Sequence, residues 1–309
     1  MSPRLGRLLP DAVSAFYFEV HYDAKRVGQL RDLLVQVPIS PMRPPRICGS
    51  IAELTSRLHE WFAESSLAVY CQPSAWLELD GVGSWADAAP GLSVCVDPAF
   101  DSRRPPTGGV PGLSPATIRA LVDELGSVCA ARSDSGAVVE RIASAWPRAG
   151  RVRHLSIMSG RAKQPRKVYG ILPRSDLVQF LREIHWPGDL DLVIDLGSAL
   201  NETSSNVQVD LTATSEGVLP RMAFEFFSDP PPYADFFRTA LLERAQARGL
   251  VDQEGVSALR EWVGEFRGCL GHDAKPSRVS RWFDLKVVVD GGRPLLKAYL
   301  GARLTPVTI

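Results

Sequence analysis

Two strand-like segments of this 309-residue chain carry a basic–x–Tyr step, whose residue types suit the binding of anions. Lys167 and Tyr169 form one step, and Lys297 and Tyr299 form the other. Because side chains alternate along a strand, the Lys and the Tyr of each step share one face. An ammonium group beside a phenol can hold a phosphate or a carboxylate through charge-assisted hydrogen bonds.

A Gly-Gly pair at 291–292 predicts a two-residue hairpin turn, since glycine accepts the positive φ angles of the primed turns. Counting outward from this turn places Lys286 opposite Lys297 and Asp284 opposite Tyr299. Two lysines directly opposite each other repel unless a carboxylate or another anion lies between them. The hairpin therefore predicts a face that is either solvated or built to meet a negative charge.

The candidate peptide-binding face combines these strands with an arginine from the segment between them. Its six members are Lys167, Tyr169, Arg221, Lys286, Lys297 and Tyr299. A solvated sheet face explains them as well as an anion-binding face does, because exposed like charges cost little. Both interpretations stay open at this point.

The sequence predicts no metal, no cofactor and no catalytic residues. The five histidines have no Cys or His partners at the spacing of a zinc site. Asp189, Asp191 and Asp195 would share one face of a strand predicted over 191–196, which permits a hard-cation site, but the polar face of a half-buried strand explains them equally well. The pattern favours a binding protein over an enzyme.

The elements that carry these residues form a helix–helix–strand–strand unit that occurs twice, at Ser114–Pro173 and Tyr233–Leu304. We expect an α+β fold in which helices pack on antiparallel sheets, with an N-terminal domain over 1–112 and a C-terminal domain over 113–309. A helix is predicted over 24–35, strands over 67–72 and 191–196, and a helix from 253 to 266.

The composition is that of an ordinary globular protein, with 45% hydrophobic and 23% charged residues. Equal numbers of basic and acidic residues, 35 each, argue against nucleic acid as a partner. Apolar runs stay well below the roughly 18 residues of a membrane helix. An odd set of five widely spaced cysteines is typical of reduced thiols, and we expect a cytoplasmic protein.

Two stretches, Arg151–Trp186 and Arg278–Arg303 with its closing LLKAYLGAR, resemble segments of proteins encoded in gene clusters for ribosomally made, modified peptides. Among characterised relatives they are similar to the peptide-binding accessory proteins of crocagin-type pathways. That resemblance implies a non-catalytic homodimer without cofactor, which binds a precursor peptide and presents it to separate modifying enzymes.

The chain also resembles the ABBA-type aromatic or peptide prenyltransferases. Those enzymes have a similar length, repeated α-β-β-α units that build a barrel, and inward basic and Tyr residues that grip a pyrophosphate. The matching positions are the six residues of the candidate face. Two repeats are visible in the sequence where that barrel has about five, and the N-terminal third shows no basic–x–Tyr strand.

Overall fold

A computed structural model describes residues 15–23, 26–38, 50–72, 74–80, 90–97, 112–131, 134–200, 204–226, 235–269 and 276–306. Within these ranges the strands are β1 (Ala15–Asp23), β2 (Arg26–Pro38), β3 (Ser74–Asp80), β4 (Gly91–Cys95), β5 (Arg151–Ile157), β6 (Arg166–Pro173), β7 (Asn206–Thr214), β8 (Gly217–Phe226), β9 (Gly264–Cys269), β10 (Pro276–Asp290) and β11 (Arg293–Pro306). The α-helices are α1 (Ser50–Glu64), α2 (Pro115–Val128), α3 (Gly136–Ala145), α4 (Leu177–Glu183), α5 (Leu190–Leu200), α6 (Asp235–Ala247) and α7 (Gln253–Trp262).

Ten of these strands form a closed antiparallel barrel. Neighbours in the chain pair from β1 to β8, β8 pairs with β10, β10 with β11, and β11 with β1, while β9 pairs with the first part of β10. The predicted α+β class, helices packed on sheets, is therefore wrong. Closure depends on the pairing of the first strand with the last, and no local pattern reports such a distant contact.

The helix–helix–strand–strand unit also occurs a third time, between the two predicted copies. It consists of α4, α5, β7 and β8. The sequence prediction missed it because residues 191–196 were expected to be a strand, whereas they lie in α5. The buried residues of α5 are Val193, Leu196, Gly197 and Leu200, which is helical spacing.

Three further predicted elements differ from the structure. Residues 26–35, predicted as part of a helix, lie in β2, where Leu33, Val35 and Val37 are buried at a period of two. Most of the segment 67–72, predicted as a strand, is a short 3₁₀ helix at Ala68–Tyr70. The last predicted helix ends at Trp262, and the residues after it form β9. Each error comes from reading a short apolar run, which propensity alone assigns poorly.

Two helices begin where the sequence predicts caps. Ser114 accepts a hydrogen bond from the backbone N–H of Thr117 at 3.1 Å, and Pro115 occupies the first helical position of α2. The helix predicted from a capping box at Ser50 spans Ser50–Glu64. Among the helices that the structure describes, none is long and apolar enough to cross a membrane.

The hydrophobic core lies between the barrel wall and the helices. Alternate strand residues such as Val168, Val287, Leu296 and Ala298 belong to one cluster with the buried helix faces. Strands β1–β4 precede residue 112 and β5–β11 follow it, so this position does not separate two sheets. Since the apolar face of each strand points outward to the helices, its polar face points into the barrel.

Candidate functional site

The turn between β10 and β11 has the geometry expected from its two glycines. The φ angles of Gly291 and Gly292 are +55° and +78°, as a primed turn requires. Lys286 pairs with Lys297 across the two strands, as counted from the sequence. This register brings both ammonium groups to the same point of the barrel interior.

The structure brings all six residues of the candidate face to the inner face of the barrel. Lys167 and Tyr169 lie on β6, Arg221 on β8, Lys286 on β10, and Lys297 and Tyr299 on β11. Lys286 and Lys297 are only 6% and 5% exposed. The interpretation of these lysines as a solvated sheet face is therefore wrong, because their charges are buried.

Each of the three lysines donates hydrogen bonds to carboxylates from other strands. The pairs are Lys286 with Asp210 and Glu225, Lys297 with Glu19, and Lys167 with Glu78 at 3.2 Å. We call these seven side chains the ionic cluster. The carboxylates offset the repulsion between the two opposed lysines. The negative charges that the hairpin sequence requires therefore come from other strands of the same chain.

The cations of the cluster keep two of its carboxylates ionised. Burial alone would raise the pKa of Glu19, but the adjacent Lys297 and the hydrogen bond with His21 together outweigh it and hold that pKa well below its usual range. Burial would also raise the pKa of Glu78, yet Lys167 and Arg161 lower it to about 2. Both groups are therefore negatively charged at neutral pH.

Asp210, Glu225 and Lys286 form a triad in which two carboxylates share one ammonium group. Burial raises the pKa of Glu225, and the negative charge of Asp210 raises it further, against the pull of Lys286. Burial opposes the charge of Lys286, but the two carboxylates raise its pKa above the ordinary lysine value. Lys286 therefore carries a fixed positive charge. Its two neighbouring carboxylates, Asp210 and Glu225, already compensate most of that charge.

A narrow cavity of about 10 Å³, room for about one water molecule and partly open to solvent, lies beside this triad. Its polar lining residues are Lys167, Asp210, Thr212, Arg221, Lys286 and Lys297. Burial lowers the pKa of Lys297, and the positive charges of Lys167 and Arg221 lower it further, although Glu19 opposes them. The ionic cluster has three lysines and four carboxylates, and Arg221 adds a fourth cation at the cavity, so the cations lie within reach of a ligand but the site has no excess of positive charge.

The two tyrosines of the candidate face are buried beside the cavity-lining lysines. The hydroxyl of Tyr169 donates to the amide oxygen of Gln208, and its ring meets His154 edge-on at 5.1 Å between centroids. Burial raises the pKa of both Tyr169 and Tyr299 well above its usual range. Burial also lowers the pKa of His154 to about 4. These rings are therefore neutral at pH 7.

Carboxylates on β1, β2 and β3 come close enough together to hold a metal ion. Two overlapping groups have ligand atoms within 4.8 Å of one another: Glu19, His21 and Asp32, and Asp32, Glu78 and Asp80. Arg161 already donates to Asp80 at 2.7 Å and pairs with Glu78. A divalent cation would have to compete with this guanidinium group.

The three aspartates whose spacing would permit a hard-cation site on a strand do not lie together. Asp189 accepts a hydrogen bond from the backbone N–H of Leu192 at 3.0 Å and caps α5. Asp195 pairs with Arg248 on the outside of the barrel. A helix has no face shared by residues at the spacing of 189, 191 and 195, so the prediction of one common face is wrong.

Aromatic side chains lie in the lumen two to four residues along the strands from the ionic cluster. Tyr17 contacts Trp76 at 5.2 Å and Trp282 at 5.5 Å between ring centroids. Gly301 makes room for this layer, because a Cβ atom there would lie 2.5 Å from the ring of Trp282. The lumen thus offers flat apolar surfaces next to its charges.

Sequence reasoning missed the four carboxylates of the ionic cluster: Glu19, Glu78, Asp210 and Glu225. The available signal was alternation, since each is a charged residue flanked by apolar ones in a strand, as in Phe224-Glu225-Phe226. The lysines that pair with these carboxylates could not be identified from local sequence patterns. Glu19 and Lys297, for example, are 278 positions apart in the chain.

Comparison with known proteins adds no family to this geometry. Neither the protein-family models nor the curated proteins compared with the chain match it. The resemblances to crocagin-type accessory proteins and to ABBA-type prenyltransferases therefore stay predictions.

Proposed function

We propose that this chain is a prenyltransferase of the ABBA type, which binds a prenyl diphosphate in the barrel lumen and transfers the prenyl group to an aromatic or peptide acceptor. The convergence of Lys167, Arg221, Lys286 and Lys297 on one cavity carries the proposal. The fold supports it, because five two-strand units close into one barrel where the sequence alone showed two repeats.

The lysines retain hydrogen-bonding capacity for a diphosphate. An ammonium group has three N–H donors. Within the described residues, Lys167 and Lys297 each use one on a carboxylate, which leaves two on each lysine for the cavity. Arg221, at the more exposed side of the cavity, adds a guanidinium group whose fork suits phosphate oxygens.

The surroundings of the cavity suit the breaking of an allylic carbon–oxygen bond. Negative charge develops on the departing diphosphate, and preformed cations in a buried site stabilise it more strongly than water does. The π faces of Tyr169 and Tyr299 can stabilise the positive charge on the allylic carbon. A lumen filled with side chains also limits the water that would capture that carbon.

The peptide-binding interpretation requires a different geometry. An extended peptide binds along an open sheet face or adds to a sheet edge. The six candidate residues instead face the inside of a closed barrel, which favours a small anionic ligand over an extended chain. A precursor peptide would fit the proposal as an acceptor that inserts one aromatic side chain. The free thiols Cys71, Cys95 and Cys129 support the cytoplasmic location that we also propose.

The first test is calorimetric titration with dimethylallyl thiolodiphosphate, an unreactive donor analogue, with and without Mg²⁺. Arg221→Gln should weaken binding about 10- to 100-fold, since one charge-assisted contact contributes about 1.5–3 kcal/mol. Arg248→Gln is a matched control outside the barrel. The two arginines are 37% and 38% exposed, and their carboxylate partners, Asp290 and Asp195, are 55% and 54% exposed.

Turnover is tested with dimethylallyl diphosphate and acceptors that include tryptophan, tyrosine and an aromatic peptide, with products detected by mass spectrometry. Binding of the analogue that only Arg221→Gln weakens, together with a prenylated product, supports the proposal. Absence of binding to the wild-type protein, or equal effects of the two substitutions, contradicts it. Heat with a precursor peptide but none with the diphosphate would favour the accessory-protein interpretation.

A further inference from the structure

Three strands continue beyond one mouth of the barrel as a small sheet, which we call the strand extension. It consists of β9, the first part of β10 (276–281) and the last part of β11 (303–306). β8 pairs with β10 only from Leu285 onward, and β1 pairs with β11 only up to Ala302. The extension therefore lies past the ends of both barrel neighbours, and among the described strands β9 pairs with β10 alone.

The inner face of the barrel continues along the extension as an open face. Alternation leads from Lys286 inside the barrel to Trp282, Ser280 and Arg278 on the same side of β10. The side chain of Arg278 is 57% exposed, whereas its neighbour Val279, on the opposite face, is buried. The extension thus provides the open sheet surface that the six candidate residues inside the barrel do not.

Arginines dominate the charges of this open face. Arg278 lies on β10, and the exposed Arg303 of β11 pairs with Ser280 beside it. The register also places Arg267 of β9 opposite Arg278. Glu265 is the acidic residue of the extension, and its carboxylate lies 3.6 Å from the guanidinium group of Arg278. One carboxylate against three arginines leaves an excess of positive charge, which favours an acidic partner.

The open face leads directly to the aromatic layer of the lumen. The guanidinium carbon of Arg303 lies 5.9 Å from the centroid of the Trp282 ring, which contacts Tyr17 edge-on. Tyr17 and its neighbour Trp76 are half-buried. Because a strand rises by about 3.3 Å per residue, the row of Arg303 lies about 7 Å from this layer and that of Arg278 about 13 Å. A chain along the extension would therefore reach flat aromatic surfaces at the mouth.

We propose that the open face of the strand extension binds an extended acidic peptide whose aromatic residue enters the mouth of the barrel. This inference rests on the proposed function, since the docked peptide is then the acceptor of the prenyl group. In an extended peptide every second side chain points to the same side, with the same spacing as the rows of the sheet. Acidic residues two and four positions from the aromatic residue would meet Arg303 and Arg278. Acidic residues one and three positions away would point away from the sheet.

The test uses two peptides of equal composition, each with a central tryptophan, four aspartates, four serines and blocked ends. One carries aspartate at the second and fourth positions on either side of the tryptophan, and the other carries it at the first and third. Fluorescence anisotropy of the dye-labelled peptides measures binding to the full-length protein at low salt, without a prenyl donor. We expect the first peptide to bind about 10-fold more tightly, since two exposed ion pairs contribute up to about 5-fold each.

Arg278→Gln and Arg260→Gln form a matched pair of variants. Arg278 lies 3.6 Å from Glu265, and Arg260 on the helix α7 lies 3.5 Å from Glu243, with arginine side chains 57% and 49% exposed. Arg278→Gln should weaken binding of the first peptide about 3- to 5-fold, whereas Arg260→Gln should leave it unchanged. In the prenylation assay, Arg278→Gln should also raise the KM of that peptide, because it removes a contact made on binding.

Tighter binding of the first peptide, which Arg278→Gln reduces and Arg260→Gln does not, supports the inference. Equal binding of the two peptides overturns it, as do equal effects of the two substitutions. A dimer in light scattering that Arg278→Gln dissociates would also overturn it, because the face would then belong to a second copy of the chain. Failure of the wild-type protein to bind dimethylallyl thiolodiphosphate is a separate result: it refutes the proposed function, whereas the peptide titrations, made without a donor, decide on the docking face.

Discussion

Replacement of Lys286 by methionine tests whether the ionic cluster is as well shielded from water as the structure indicates. Lys286→Met retains the length and most of the volume of the side chain but removes the ammonium group. Asp210 and Glu225 then lose the cation that both contact, and both lie inside the barrel. The substitution therefore isolates the electrostatic contribution of one buried charge.

The expected loss of stability is large. Removal of one partner of a buried ion pair leaves an uncompensated charge and costs about 3–5 kcal/mol. Here one ammonium group serves two carboxylates, so we expect a loss near the upper end of that range at pH 7. Since domains typically unfold with about 5–15 kcal/mol, the variant should have a much lower urea midpoint.

The matched control is Lys163→Met, a substitution of the same kind at an exposed pair. Lys163 and Glu216 are 2.7 Å apart, and their side chains are 60% and 67% exposed. Exposed pairs contribute about 0–1 kcal/mol, so this variant should unfold nearly as the wild type does. A loss below about 1 kcal/mol for Lys286→Met would refute the reasoning, because such a value is that of a solvated ion pair.

The same variant gives a dependence on pH with a definite sign. Without Lys286, burial and the charge of Asp210 raise the pKa of Glu225 further above that of the unfolded chain, near about 4. The folded state then binds more protons than the unfolded state above that value, so its stability falls as the pH rises. The deficit relative to wild type should therefore be smaller at pH 5 than at pH 8.

Two further substitutions probe other parts of the barrel by urea unfolding. Glu78→Gln should cost up to about 3 kcal/mol at pH 7, the equivalent of a pKa lowered from 4.5 to about 2. Because a carboxylate with a lowered pKa loses its contribution as the pH falls through that pKa, variant and wild type should converge only near and below about pH 2, and a constant difference would contradict the assignment to Lys167 and Arg161. Gly170→Ala should cost about 1–3 kcal/mol, since the new Cβ would clash with the backbone oxygen of Arg151 and would lie 2.5 Å from the Trp146 ring. A loss below about 0.5 kcal/mol would show that both the ring and this backbone move aside freely.

The sequence predicts the parts of the fold that depend on neighbouring residues. The register of β10 and β11 follows from a Gly-Gly turn and simple counting, and it is confirmed residue by residue. The helix at Ser50–Glu64 follows from its capping box. Segment 190–200 shows the limit: its apolar residues fit a strand and a helix equally well until the packing of α5 decides between them.

Closure of the barrel and the pairing inside it depend on contacts that local patterns do not contain. The strand pair β1–β11 joins the two ends of the chain, and the contact of Lys167 with Glu78 crosses from β6 to β3. Alternation identified which lysines and tyrosines share a face, and the structure brings all six candidates to the lumen. It could not show that this face was concave and enclosed, nor that carboxylates from other strands lie opposite.

The buried charges themselves are an argument for function. A ten-stranded barrel is wider than the eight-stranded ones that side chains just fill, so its interior has space that apolar residues or a ligand can occupy. Apolar replacement of a buried ion pair is often neutral or stabilising, which means that stability alone does not require the ionic cluster. The cluster places Lys167 and Lys297, each held by a carboxylate of another strand, at a cavity that Arg221 also lines. The proposed diphosphate site needs such fixed basic groups, and a barrel interior that served only for packing does not.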